Sequence, residues 1–355
     1  MRILYGVTGE GLGHAMRSRV VAQHLFARGH EVKLVASGRA RDYLARSFPD
    51  VERIPGFAMA YRDHQVSRAR TLGRTLRAVR PAMRESIAMY RTAISGFQPD
   101  VCISDFDSFS YLFAKRHSLP IISIDNQQVI HKCKHDDDIK EGLRADFQAT
   151  RAFVKAKLPG CDHYVITSFF PAKVRDKFKD RTTMVPPILR EPVLRAEASR
   201  GDHVLVYQTS QSDETLFPTL SRLRDQRFVV YGRDEGDSPR NVVRKSFSED
   251  GFVRDLASAR AVVCNGGLSL LGEAIYLGKP ILSVPVRHQF EQEMNARYVE
   301  KLGYGTSARK LDPDVLSTFL RDEEGYARAV RRHHHQDGND ELFSTLGRLL
   351  KDLRG

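Results

Sequence analysis

Short apolar runs alternate with stretches of helical periodicity along nearly all of this 355-residue chain, and few folds accept that alternation. A run of about five apolar residues suits a strand buried on both faces, and a helix between two such runs returns the chain parallel to the same sheet. Runs at 3–7 and 31–36 flank a helical stretch at 15–27 that Gly29 stops. The order returns as a strand at 100–104, a helix at 111–117 and a strand at 120–124, with a further strand at 164–167. Pro186, Pro187 and Pro192 then interrupt the pattern, and the segment 186–202 is expected to link two domains. A second series follows, with strands at 203–207, 228–231, 241–243, 261–264 and 280–284 and helices at 268–277 and 290–302. The length suits two domains. They are expected at 1–190 and 200–330, with 331–355 a helix packing back across both. The tail 323–353 reads as two polar helices interrupted by His333, His334 and His335, a solvated helix end rather than a metal site.

Hydrophobic residues make up 41% and charged residues 28%, which describes a globular chain in water. No apolar run reaches the roughly 18 residues that span a bilayer. Residues 1–5 run straight into a glycine-rich turn, without a signal peptide pattern. Cys102, Cys133, Cys161 and Cys264 have no paired spacing and are expected to be reduced thiols in the cytoplasm. A net charge of +12 attracts anions, whether nucleic acid, lipid headgroups or phosphorylated compounds, and by itself selects none of them.

The most informative stretch is Cys264-Asn265-Gly266-Gly267-Leu268-Ser269-Leu270-Leu271-Gly272-Glu273, continued by Gly278-Lys279-Pro280 and by Glu291-Gln292-x-x-Asn295. A strand ends at Cys264, two glycines allow close approach of backbone N–H groups, and a helix begins at once. The positive end of that helix suits a diphosphate. Glu273, under two turns along, can accept hydrogen bonds from both hydroxyls of a ribose. Glu291 and Gln292 follow the next strand, at the sheet edge where open α/β folds bind ligands, and are candidates for sugar hydroxyls.

This segment resembles the donor-binding signature of the GT-B glycosyltransferases, above all the group of the peptidoglycan GlcNAc transferase and the monogalactosyldiacylglycerol synthases, and also the natural-product glycosyltransferases. The whole chain is similar to an uncharacterised bacterial and archaeal glycosyltransferase group with a GGxSLxxEA…FEQxxNA pattern. The resemblance implies two Rossmann-like domains facing across a cleft. It also implies that Gly266, Gly267, Leu268 and Ser269 bind the diphosphate, Glu273 the ribose, and Glu291 with Gln292 the donor sugar. The acidic member of that last pair is commonly Asp in those families and is Glu291 here.

In the N-terminal half, Gly9-Glu10-Gly11-Leu12-Gly13-His14 spaces its glycines as GxGxG. The second strand runs into Ser37-Gly38-Arg39 without the acidic residue of a dinucleotide site. The loop resembles the GGTGGH-type turn of the peptidoglycan transferase family. That implies a place at the interdomain cleft, in contact with donor phosphates and acceptor. Sugar transfer needs a base for the acceptor hydroxyl. His14 is the first candidate, with a helix-capping or phosphate-contacting role as its alternative, and Glu10 is the second. Asp105 ends the strand at 100–104, faces the same sheet edge and can orient His14. Asp105 and Asp107 also match a DxD metal motif, but the strand order is wrong for the fold that uses it. The segment His135-Asp136-Asp137-Asp138 reads as an acidic loop, and no metal site is expected.

Residues 61–97 carry an apolar helical stripe with a basic stripe of Arg70, Arg74, Arg77, Arg84 and Arg91 beside it, split or kinked at Pro81. Those arginines are candidates for an acceptor or an anionic membrane, or form the solvated face of a core helix. Only Tyr90 among aromatic residues interleaves with them, which disfavours single-stranded nucleic acid. The expected function is transfer of a hexose from a nucleoside diphosphate sugar, UDP-linked by preference, to an acceptor hydroxyl that is lipid-linked or of the cell envelope. It would need neither metal nor cofactor, and would work in the cytoplasm or peripherally on the inner face of the membrane. The alternatives are a sugar-nucleotide epimerase of the same fold, a transferase for a soluble small molecule, and a non-enzymatic basic binding protein.

Overall fold

The computed structural model describes residues 1–9, 11–54, 94, 96–208, 215–233, 237–286, 289–332 and 336–353. Within them two wholly parallel sheets carry the chain. The first uses β1 (Arg2–Val7), β2 (Glu31–Ala36), β3 (Val51–Arg53), β4 (Val101–Asp105), β5 (Ile121–Asp125), β7 (His163–Thr167) and β9 (Thr182–Val185). A short antiparallel ribbon, β6 (Cys133–Lys134) with β8 (Lys173–Val174), lies outside it. The second sheet uses β10 (His203–Tyr207), β11 (Arg227–Tyr231), β12 (Val242–Lys245), β13 (Ala261–Cys264), β14 (Ile281–Ser283) and β15 (Gly305–Ser307).

Strand order fixes where ligands can sit. In the first sheet it is β3-β2-β1-β4-β5-β7-β9, and in the second β12-β11-β10-β13-β14-β15. In each case the chain builds one way from a central strand and then turns back to build the other way. The crevice outside the carboxyl ends of the two strands at that reversal is the usual binding place of such sheets. Here those strands are β1 with β4, and β10 with β13. Val7 pairs with Asp105 and Tyr207 with Cys264, so the residues that leave β1, β4 and β13 emerge at the two crevices.

The central strands are apolar on both faces because helices cover both. Leu4 packs in a core cluster that reaches into the second half, while Ile3, Tyr5 and Val7 pack in another. The C-terminal helix Asn339–Asp352 belongs to this second cluster through Leu342, Leu346 and Leu350. That i, i+4, i+8 spacing makes one apolar stripe, so this part of the tail is amphipathic rather than simply polar. Phe343 stacks on His24 with ring centroids 3.8 Å apart. The histidines at 333–335 lie outside the described residues.

The proline-rich connection is tightly held. Residues Glu191–Leu194 form one helical turn, Val193 is fully buried and Arg190 is 3% exposed. The four cysteines are free and buried, and burial pushes the Cys264 thiol up to about 12.

Candidate active site

On the first sheet, β1 runs into a turn in which Gly11 adopts φ 100°, a left-handed region that favours glycine. A Cβ on Gly9 would come 2.5 Å from the carbonyl oxygen of Ser37, so only glycine lets the loop pass there. The helix Leu12–Ala27 starts at once, and His14 lies in its first turn. The imidazole Nδ1 is 2.7 Å from Asp105 Oδ1. A carboxylate there requires Nδ1 to carry the proton, which leaves the Nε2 lone pair as an acceptor. The Gln127 side-chain amide donates to it at 3.0 Å.

Asp105 serves more than His14. Arg17, one turn further along the same helix, donates Nε to Oδ2 at 3.0 Å and Nη2 to Oδ1 at 2.6 Å, a bidentate pair. Ser18 Oγ donates to Oδ2 at 2.9 Å. Asp105 is wholly buried. Burial pushes its carboxyl up, but Arg17 and then His14 outweigh that and hold it below the usual carboxylate range. Asp107 is used differently, capping the helix Ser108–His117 by accepting from the Ser110 amide.

On the second sheet, β13 ends at Cys264 and Gly266 takes φ 88°. A Cβ on Gly266 would lie 2.8 Å from Ser283 Oγ. Two neighbouring loops are fixed from behind: Asn295 Nδ2 donates to the Gly266 carbonyl at 3.0 Å, and in the loop after β14 the Val286 amide donates to Gln292 Oε1 at 2.9 Å. Gly267 then starts the helix Leu268–Tyr276, with no side chain capping it and no acidic residue in its first turn. A Cβ on Gly267 would meet nothing within 4 Å. The result is a helix N-terminus opening onto free space, where an anion is favoured.

The two ends meet. A Cβ on Gly13 would lie 2.7 Å from Ser269 Oγ, so the glycine loop of the first sheet abuts the glycine turn of the second. Glu291, in the first turn of the helix Phe290–Lys301, accepts from Asn126 Nδ2 and, at 3.2 Å, from Gln127 Nε2. One amide therefore bridges His14 Nε2 and Glu291 Oε2.

Glu273 is in a different setting from the one its spacing suggests. Arg190 donates Nε to Oε1 at 2.7 Å and Nη2 to Oε2 at 2.8 Å, and the pair is buried. Arg190 also donates to Glu249 at 3.0 Å, and Glu249 is gripped by both terminal nitrogens of Arg19. A carboxylate offers about four lone-pair sites, so Glu273 keeps acceptor capacity beyond these two bonds.

Glu10 and Arg70, Arg74, Arg77, Arg84 and Arg91 lie outside the described residues. The acidic segment, expected to be a loop, turns helical at Asp137–Lys140 and ties the halves together, with Lys301 donating to Asp136 and Asp138 and His135 Nδ1 lying 2.9 Å from the Tyr298 hydroxyl. Sequence reasoning missed Arg17, Ser18, Asn126, Gln127, Arg190 and Glu249. The first two had a readable signal, since positions three and four after His14 share its helix face. Asn126 and Gln127 directly follow β5, at the same sheet edge as His14.

Two facing parallel sheets, each with its crevice at the strand reversal, and a His–Asp pair opposite a glycine turn give the chain a GT-B architecture. The chain belongs to glycosyl transferase family 1, which it matches over residues 1–322, and it is an enzyme of that kind. It is similar to an uncharacterized glycosyltransferase of Methanosarcina acetivorans, 24% identical over 99% of this chain and 98% of the relative. Another, from Methanosarcina mazei, is 25% identical over 94% of this chain and 93% of its own length. Among solved structures, the calicheamicin glycosyltransferase CalG4 shares the fold, with a TM-score of 0.68 at 18% identity over 99% of this chain and 98% of that one. No described helix is long and apolar enough to cross a membrane.

Proposed function

We propose that the enzyme transfers a hexose from a UDP-linked sugar to an acceptor hydroxyl, with His14 as general base. The observation that carries this reading is the single amide, Gln127 Nε2, placed 3.0 Å from His14 Nε2 and 3.2 Å from Glu291 Oε2. Substrate entering that gap would replace the amide on both sides, with the donor sugar on Glu291 and the acceptor hydroxyl on His14. The acceptor oxygen attacks the anomeric carbon, its proton passes to His14 Nε2, and the bond from that carbon to the diphosphate oxygen breaks. The open N-terminus at residues 266–269 takes the negative charge on the departing diphosphate, so this route needs no metal or cofactor. Glu273 accepts from the ribose while Arg190 holds it in place, and Gln292 keeps the loop after β14 in position beside the sugar. Asp105 holds the tautomer of His14 that the reaction needs.

Within the family we place the chain with the peptidoglycan GlcNAc transferase and monogalactosyldiacylglycerol synthase group, on the residues 266–273 and 289–296. That placement and the charge of +12 support a lipid-linked acceptor of the cell envelope, met from the cytoplasmic side by peripheral attachment. The test is a donor screen that measures free nucleoside diphosphate, run with chelator present. Slow release of UDP from a UDP-hexose, accelerated by acceptor and indifferent to EDTA, is the expected result. Turnover that requires manganese or magnesium, or conversion of UDP-GlcNAc alone to its epimer, would overturn the reading.

A further inference from the structure

A groove of about 600 Å³ opens on the N-terminal half, and none of the residues assigned to the transfer site lines it. Its walls carry six cations, Lys134, Lys140, Arg144, Arg151, Arg175 and Lys177, against two carboxylates, Asp137 and Asp176. Both carboxylates are already engaged. Asp137 lies 3.0 Å from Lys140, and Asp176 lies 3.2 Å from Lys134 and 2.7 Å from Lys179. Among the described residues, Arg151, Arg175 and Lys177 have no carboxylate partner.

Lys134, Arg144 and Lys177 are exposed, whereas Arg151 and Arg175 are half-buried, and the fold holds Arg175 in place. Arg175 is half-buried, donating Nε to the Cys133 carbonyl at 2.9 Å, and its own amide donates to the Lys132 carbonyl at 2.9 Å. Its guanidinium is thus fixed at the end of the β6–β8 ribbon, close enough to Arg151 that repulsion adds to burial in lowering its proton affinity. Near Arg151 and Arg175, His131 is buried, with Nδ1 unpartnered among the described residues. Burial, then Lys132, Arg151, Arg175 and Lys155, press its imidazole down to about 4. Two half-buried guanidiniums, Arg151 and Arg175, without a carboxylate partner among the described residues, are held near each other at a cost in the free protein, which a bound anion relieves.

We propose that this groove is a second anion site, which takes the phosphate or diphosphate ester group of a ligand other than the donor nucleotide. Two guanidiniums match the oxygens of a phosphoryl group, which accept from them in pairs. The volume falls in the range of small-molecule sites, about 300–1,000 Å³, and exceeds what one phosphate fills. The buried ring of Phe147 gives the organic part an apolar wall. A soluble phosphate ester and the headgroup of an anionic lipid present this same chemistry.

The probe is inorganic pyrophosphate, titrated calorimetrically into the full chain with excess UDP present. The wild type is compared with Arg151→Gln/Lys177→Gln, two side chains with no ion pair among the described residues, and thermal melts check the fold. A control variant, Arg222→Gln/Arg224→Gln, removes the same charge from an exposed place on the other half. At least a tenfold loss of pyrophosphate affinity in the groove variant, with the control unchanged, is expected. Sedimentation with phosphatidylglycerol or phosphatidylcholine vesicles separates the sources. Binding only to phosphatidylglycerol, competed by pyrophosphate and lost in the groove variant, assigns a lipid headgroup, and no vesicle binding assigns a soluble ester. Equal pyrophosphate affinity in wild type and groove variant, or an equal loss in the control, would overturn the proposal.

Discussion

The two sheet ends that meet at the cleft are built in opposite ways. On the first, His14, Arg17, Ser18 and Asp105 are all buried, and the carboxylate is shared by three donors. On the second, the helix that starts after Gly267 has no side chain capping its first amides, and a Cβ on Gly267 would meet nothing within 4 Å. A group that moves a proton must be held at a fixed angle and in one tautomer, which asks for a saturated network. A site that receives a charged ligand needs the reverse, donors whose partners arrive with the ligand. The contrast fits the proposed function, with chemistry at the first end and binding at the second.

The sharpest way to break the contrast is to remove one group from each end. His14→Ala should lower turnover roughly 10²- to 10⁴-fold while leaving affinity for UDP nearly unchanged. Steady-state kinetics beside calorimetric titration checks this, and near-normal turnover at saturation would contradict it. Glu273→Ala should do the converse, weakening UDP by roughly 10- to 150-fold, since hydrogen bonds to a charged group contribute about 1.5–3 kcal/mol. The variant also strips Arg190 of a buried partner, so a stability loss of up to about 3–5 kcal/mol should accompany it, lessened because Glu249 remains. Adding Arg190→Met should recover stability in a denaturant melt but not affinity. Recovery of both would move Glu273 from ligand binding to structure alone.

Asp105 gives a test by pH. Its carboxyl is held below the unfolded value of about 3.9, so the unfolded chain binds the proton more tightly. The stability it contributes is therefore present above that value and lost as pH falls through the folded one. Melting temperatures followed down from pH 5 should drop less steeply in Asp105→Asn than in the wild type. The same variant should lower turnover less than His14→Ala does. The smallest effect is expected where the two ends touch. Gly13→Ala places a methyl 2.7 Å from Ser269 Oγ, a side-chain tip able to turn away, so kcat/KM should fall only a few-fold, on the order of 1 kcal/mol. Ser269→Ala in that background should restore most of it.

Much of this was legible in the amino-acid order because it depends on local chemistry. The strands β1, β4, β10 and β13 stand within a residue or two of where their apolar runs lie, and the glycine turns mark the ends of β1 and β13. His14 and Asp105 could be set at one sheet edge in advance because one follows β1 and the other ends β4, strands that the structure pairs side by side. What was not legible came from distant segments meeting. Nothing near Arg190 reveals that a proline-rich connection would turn inward to hold Glu273, eighty-three positions away. Gln127 is one of two adjacent glutamines shortly after β5, and only the approach of the helix Phe290–Lys301 makes it a bridge. The short strands β3 and β15 were too brief to stand out as apolar runs.

Hydrogen exchange in the presence and absence of UDP tests the division of labour most directly. Amides at 265–273 are predicted to slow markedly on binding, because the uncapped N–H groups gain phosphate partners, while those at 12–18 keep their rates. If UDP binds, as judged by calorimetry, yet leaves 265–273 unchanged and protects 12–18 instead, the donor sits on the other sheet and the account is wrong.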